Sequence, residues 1–543
     1  MSARLIFVVV LLAAGNLMAG DKPPYKLLFG NDTTHITSCP SPFNPRPGPF
    51  VEEHIRACVQ ESAVEGVDAH LLQPGMGWVP WWQSEVYPMA DHVQWLAEHG
   101  IKPHAYERYI LNGGDLVAAY VEECRKQNIA PLISFRLNDS HFLSHAKQDY
   151  QDEAAVQNAR EAVCRFYGEN PQFIIGDETL EKHYKYLQDW AHPEVRDYRF
   201  RLIKELCENY DIEGIELDFL RHPCFFDRRK TTDDERSDMM AGFVRRIRNM
   251  MDALEKNDGK KRWLGIRVTA YPDRWGEIGV DLQKLTDAGL NWVNCSSHYF
   301  TDLGMEIARI REMAPGHVAL YSELHYVTAV GPYREAAATT GRNSAGSVRR
   351  MTDPLQFYTA ANLAYEQGAD GVSLFNFHYY RGSRGVYTRD GGKEPPFDIL
   401  KYLTNRDWLE KQPQWYFIGA TFNPLMSNEP FTKTYAIGKP ETFRLLMTPP
   451  QGGWSEDGRL RLLARDPLGD SSWSVVFNGH ELKRTDDVSE PYDVRYTTGI
   501  LEPEYYRAFT VPHKLLRDGE NEIEVMLLSG KKMKLFYLDI AVE

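Results

Sequence analysis

The sequence predicts an α/β fold, a (β/α)8 TIM barrel followed by a C-terminal all-β sandwich. Three observations carry this reading. Eight short β-rich runs alternate with helix-period segments over roughly 380 residues. Links from helix to strand are brief, whereas the stretches after the second, third, fourth and seventh runs extend to tens of residues, which marks one end of the barrel as the working end. Near Trp408 the pattern changes to alternating apolar and polar runs separated by Gly, Asp and Asn turns.

In chain order, residues 1–20 read as a secretory signal peptide: Arg4 gives the positive start, Leu5 to Ala14 the apolar run, and Leu17-Met18-Ala19-Gly20 a small-residue cleavage region. The expected mature protein is secreted or periplasmic, with no membrane insertion, because no later run approaches the length of a spanning helix. Residues 21–407 form the predicted barrel. Its candidate strands are Lys26–Asp32, Gly66–Gln73, Ala130–Asn138, Ile212–Phe219, Trp263–Tyr271, Leu290–Tyr299, His317–His325 and Gly371–His378. Between them helical periodicity covers Asp91–Glu98, Leu116–Gln127, Asp197–Asn209, Asp234–Leu254, Met305–Met313 and Pro354–Glu366. No glycine-rich phosphate turn follows the first strand, which removes the usual reason to prefer an open nucleotide-binding sheet. Residues 408–543 form the predicted sandwich.

Composition narrows the function. With 62 basic and 76 acidic residues the net charge is -14, so the chain lacks the broad positive field of a nucleic-acid binder. Seven cysteines without a CxxC pair exclude a zinc ribbon and allow one or two disulfides with a thiol left over. Twelve Trp and 29 Tyr exceed the needs of a core and suit the stacking surfaces of a carbohydrate-handling protein. Neither a metal nor any other cofactor is expected, and oligomeric state stays open.

Strand parity points to the chemistry. In Gly214-Ile215-Glu216-Leu217-Asp218-Phe219 the apolar residues alternate with the two carboxylates, and barrel strands turn their apolar face to the helices. Glu216 and Asp218 are therefore expected inside the barrel. The same alternation sends Ser134, Arg136 and Asn138 inward from strand 3, Arg267 and Thr269 from strand 5, and Asn294, Ser296 and His298 from strand 6. It adds Tyr321, Glu323 and His325 from strand 7, and Asn376 and His378 from strand 8. Buried charge is costly unless paired, so this many polar groups must neutralise one another or serve a solvated mouth.

EGIELDFLRHP after strand 4, YSELHY at strand 7 and GADGVSLFNF into strand 8 resemble secreted bacterial (β/α)8 glycoside hydrolases, particularly the glycosyl-hydrolase-like group. The resemblance covers residues 25 to 405. The acids of strand 4 are similar to the DxxDxDxE line of chitinase-like hydrolases, but Leu220 stands where the terminal Glu belongs, which argues against their substrate-assisted mechanism. Glu323 resembles the strand-7 nucleophile of the large retaining clan, yet strand 4 lacks that clan's Asn-Glu pair. The closing strands, with Asn521 to Val525 and Tyr537 to Ile540, look like those of a galactose-binding-like jelly roll.

A glycosidase needs two carboxylates flanking one bond. Asp218 as nucleophile or base and Glu323 as acid are the expected catalytic pair, with Glu216 behind Asp218 tuning it or anchoring an Arg. Expected substrate contacts are Trp81 and Trp82, read as exposed stacking indoles beside Trp78, then Arg136, Asn138 and His141 on the loop after strand 3, and Arg221, Arg267, His298, Tyr299, His325, Asn376 and His378 around the mouth. The alternative for the tryptophans is a hydrophobic plug, and for His298, His325 and His378 a metal site. Arg136, His141, Arg221, His222, Arg267, His298, His325, His378, Arg381 and Arg384 together imply an anionic sugar, unless they only neutralise neighbouring acids. A polysaccharide lyase and a non-catalytic carbohydrate-binding protein are the alternative functions.

Overall fold

The structure is a computed structural model and describes residues 22–44, 50–76, 78–139, 164–180, 184–331, 348–381, 393–419, 434–497 and 500–543. Eight parallel strands close into a barrel: β1 (Leu27–Asn31), β2 (Ala69–Leu72), β3 (Ala130–Arg136), β4 (Gly214–Asp218), β5 (Trp263–Thr269), β6 (Trp292–Ser296), β7 (Ala319–His325) and β8 (Gly371–Phe375). Each strand pairs with its neighbour in sequence, and β8 closes on β1 through Leu27 to Gly30 against Val372 to Phe375. All eight lie inside the predicted runs.

The alternation seen in the sequence explains the layering. Ile133, Phe135, Ile215, Leu217, Ile266, Val268 and Val293 point outward and pack with buried residues of the surrounding helices, among them Leu116–Lys126 and Pro193–Asn209. Leu28, Leu71, Leu132, Trp263, Trp292 and Tyr321 point inward and fill the lower end of the barrel as a separate apolar cluster. Gly265 is required there: a Cβ would lie 2.0 Å from the Trp292 indole, whose residue it pairs with across β5 and β6. Above this floor the inward positions become polar.

The long helix Asp233–Asp258 shows how local chemistry sets a boundary. Thr232 accepts the Glu235 N–H at 3.2 Å, and the Glu235 carboxylate accepts the Thr232 N–H at 2.8 Å. It ends at Gly259, with φ at 74°. Two helices missed by periodicity, α1 (Thr33–Ser38) and α2 (Glu52–Ser62), follow β1.

After the barrel, antiparallel sheets form the sandwich. One orders Gln414–Gly419, Met533–Val542, Gly458–Ala464, Tyr506–Val511 and Lys483–Thr485. The other orders Pro440–Met447, Gly519–Ser529, Ser472–Phe477 and His480–Glu481. The module docks on the helix Pro354–Glu366, where Thr359 Oγ1 accepts the Trp415 N–H at 2.8 Å and Gln356 Nε2 donates to Tyr537 Oη at 2.6 Å. A buried ion network seals the joint: Arg350 and Arg461 both pair with Glu490, and Arg461 also with Asp539. Among the described residues no helix is long and apolar enough to cross a membrane. The seven cysteines are free and buried, so the disulfides allowed by the sequence do not form.

Candidate active site

The polar layer is organised by Arg267. Its Nε and Nη2 donate to the two oxygens of Glu323 at 2.8 and 2.7 Å, and Nη1 donates to Asp218 Oδ2 at 3.2 Å. Its guanidinium lies 4.1 Å from the Phe375 ring centroid. The expected catalytic carboxylates of β4 and β7 therefore meet on one cation.

Glu323 is saturated. Ser296 Oγ donates to it at 2.5 Å and Asn294 Nδ2 at 3.2 Å, while His325 Nε2 stands 2.9 Å away. Burial favours the neutral acid, but Arg267 and His325 overcome it and bring the carboxyl down to about 2. Glu216 is the opposite case. Burial pushes it up to about 7 against the pull of Arg267, and it accepts from Ser134 Oγ at 2.6 Å and Asn294 Nδ2 at 3.0 Å. Asp218 ends its strand in a local turn: Oδ1 accepts the N–H groups of Leu220 (2.9 Å) and Arg221 (3.3 Å), and Oδ2 the Nε2 of Gln73 (3.2 Å).

Around this layer, Arg136 bridges the acids after β1 and β3, with Nη1 at 2.9 Å from Asp139 and Nη2 at 3.9 Å from Asp32. Arg221 lies 3.4 Å from His298 Nε2 and 5.3 Å from the Tyr299 ring centroid. Burial, then the Arg221 and Arg267 charges, hold His298 well below the ordinary imidazole range. Backbone strain marks the same end: His222, His298 and Asn376, within four residues of the ends of β4, β6 and β8, have φ of 53°, 77° and 54°.

Several expected contacts fall elsewhere. Trp81 and Trp82 are 0% and 2% exposed, so the stacking role does not hold. Trp81 stacks on Tyr106 at 3.9 Å, and Trp82 Nε1 donates to Glu205 at 2.8 Å, which makes them the hydrophobic plug. Asn138 points into the protein, donating to the carbonyls of Cys224 (2.8 Å) and Gln188 (3.3 Å). Strand 8 ends at Phe375, so Asn376 and His378 lie beyond it. Asn376 clasps Asp32, and His378 Nδ1 stands 2.9 Å from Asn31 Oδ1, so neither lines the barrel interior. Arg267, His325 and Arg381 are paired with carboxylates. Arg221 and His222 are partly exposed at the mouth, Arg221 beside His298 and His222 Nδ1 3.5 Å from Asp139 Oδ1. His141 and Arg384 lie outside the described residues.

His298, His325 and His378 do not gather. His378 instead joins His35 of α1 and Glu61 of α2, residues that parity could not reach because neither is on a strand. Gln73 and Asp32, which close the site from β2 and β1, were also missed. Both immediately follow a strand, at the end where barrel sites form.

No family model matches the chain, and no curated protein matches it. Among solved structures, α-L-fucosidase isoenzyme 1 from Paenibacillus thiaminolyticus is similar with 12% identity and a TM-score of 0.35, over 92% of this chain and 96% of that one. An α-amylase from Geobacillus thermoleovorans, complexed with acarbose, is similar with 11% identity and a TM-score of 0.38, over 92% and 98%. A glycoside hydrolase family 18 N-acetylglucosaminidase from Paenibacillus barengoltzii has 11% identity and a TM-score of 0.37, over 70% and 99%. At such distances the barrel is assigned from its own strand register, and the chemistry from the side chains inside it.

Proposed function

We propose that this protein is a glycoside hydrolase whose reaction centre is Asp218. The observation that carries the reading is the convergence of Asp218 and Glu323 on Arg267 at the C-terminal end of a closed barrel, with Glu216 tied to Glu323 through Asn294. The roles differ from those the sequence implied. A carboxyl brought down to about 2 holds no proton at neutral pH, so Glu323 is not the acid. It fixes Arg267, which in turn orients Asp218. The proton belongs to Glu216, which burial holds near 7. Asp218 attacks the anomeric carbon or activates water against it. Asp218 is fully buried, so side chains of the mouth move aside for the sugar.

The finer reading is an acidic polysaccharide, uronic or sulfated, bound through Arg221 and His222 by a protein exported by residues 1–20. The test is product analysis on a panel of neutral and acidic polysaccharides. Asp218→Asn is expected to lower turnover at least about 10²-fold with folding intact. Near wild-type turnover in that variant overturns the assignment, and equal cleavage of carboxyl-reduced or desulfated substrates overturns the acidic-sugar reading. The Arg221, His298 and Tyr299 cluster favours one second reading, lyase chemistry, in which Arg221 pairs with a uronate carboxylate, the neutral His298 takes the proton from the neighbouring C5, and the C4–O bond breaks as the C4–C5 double bond forms. An unsaturated, ultraviolet-absorbing product distinguishes it.

A further inference from the structure

A second buried cluster lies where the barrel closes. Behind the seam of β1 and β8, His35, Glu61 and His378 come from three separate elements and are 3%, 3% and 0% exposed. Their ligand-type atoms converge. Glu61 Oε1 is 2.6 Å from His35 Nε2 and 2.8 Å from His378 Nε2. The two imidazoles stack with centroids 3.4 Å apart and planes 15° from parallel, so both rings face the same carboxylate.

Hydrogen bonds orient these rings. Asn31 Nδ2 faces His70 Nε2 at 3.1 Å, which turns Asn31 Oδ1 to accept the Nδ1–H of His378 at 2.9 Å. That tautomer leaves His378 Nε2 as a bare lone pair. This nitrogen is buried and 2.8 Å from the Glu61 oxygen, in an alignment that is poor for a hydrogen bond. A lone pair facing a carboxylate oxygen at this distance is repulsive unless a proton or a metal cation lies between them, and a metal can bridge all three atoms at once. Outer contacts fix these groups in place: Cys58 Sγ lies 2.9 Å from His35 Nδ1, and Arg381 pairs with the other oxygen of Glu61. Glu394, 67% exposed, balances Arg381 on its outer side.

We propose that His35 Nε2, His378 Nε2 and a Glu61 carboxylate oxygen form a site for a divalent transition metal, zinc being the ion whose ligand preference fits two imidazoles and one carboxylate. Neighbouring ligands of a tetrahedral zinc stand about 3.3 Å apart, so binding spreads the three atoms slightly. The metal clamps α1 and α2 to the segment after β8 and so closes the barrel seam, apart from the Asp218 centre.

The full chain, stripped with chelator and then given zinc, is passed through gel filtration and its metal content measured, with zinc K-edge absorption on the loaded sample. The expected result is about one zinc per chain, a shell of nitrogen and oxygen at about 2.0–2.1 Å, and a raised Tm. His35→Gln and His378→Gln, each checked for a native circular dichroism spectrum, are expected to lose at least about tenfold in zinc affinity, whereas Asp218→Asn keeps the ion. Failure of the wild-type chain to retain zinc overturns the site without any variant. So does a zinc–sulfur shell at about 2.3 Å, or undiminished zinc in both histidine variants.

Discussion

At residue scale, Glu216 and Glu323 sit on neighbouring sides of Arg267 and titrate in opposite directions. Glu216 rises from an ordinary 4.5 to about 7 on folding, so its contribution to stability is complete below about 4.5 and is lost as pH climbs to 7. The loss is on the order of 3 kcal/mol. Glu323 falls from 4.5 to about 2, so its contribution is complete above 4.5 and disappears as pH drops towards 2. Urea unfolding between pH 4.5 and 7.5 is expected to show a decline in wild type that Glu216→Gln flattens. If Glu216 is also the proton donor, the alkaline limb of kcat near pH 7 vanishes with it. Arg267→Met leaves two buried carboxylates without their shared cation and is expected to cost about 3–5 kcal/mol in the same assay. Adding Glu323→Gln recovers part of the loss. An Arg267→Met variant as stable as wild type excludes the network as the element holding the polar layer together.

At the scale of elements, the C-terminal strand ends hold the strain. His222 turns the chain away after β4 with positive φ, a conformation that costs a side-chain-bearing residue about 1–2 kcal/mol. His222→Gly is therefore expected to be more stable than His222→Ala by about 1 kcal/mol, the reverse of the usual order for these residues in extended or helical backbone. Thermal unfolding of the pair checks this, and an alanine variant more stable than the glycine variant removes strain from the account of this turn. The inward faces of β4 and β7 were legible in the sequence because a strand has period two, and one apolar row fixes where the other row points. The same logic, applied to β8, corrects the expectation there. Asn376 and His378 in fact share the parity of Val372 and Leu374, which pack outward, whereas Ser373 and Phe375 take the inward places, Ser373 3.3 Å from Asn294 and Phe375 against Arg267. The tryptophans failed for a different reason: aromatic density after a strand says nothing of burial until Tyr106 and Glu205 arrive from other helices.

At the scale of the molecule, barrel and sandwich share the Arg350, Glu490, Arg461 and Asp539 network. Burial favours neutral Glu490, but Arg350 and Arg461 overcome it and bring the carboxyl to about 2. Glu490→Gln is expected to cost about 3 kcal/mol and to split one calorimetric transition into two as the domains uncouple. A single unchanged transition would show that the apolar contact suffices. The sequence by itself determined the eight strands, their inward carboxylates and the change to a sandwich, because each depends on periodicities within ten residues or so of chain. Only tertiary structure decided that Glu216 is pushed up and Glu323 down, since that follows from burial and from Arg267 reaching both β4 and β7. Only tertiary structure brought Asn31 and His35 beside His378, because β1 and β8, the two ends of the barrel sequence, are joined by closure alone.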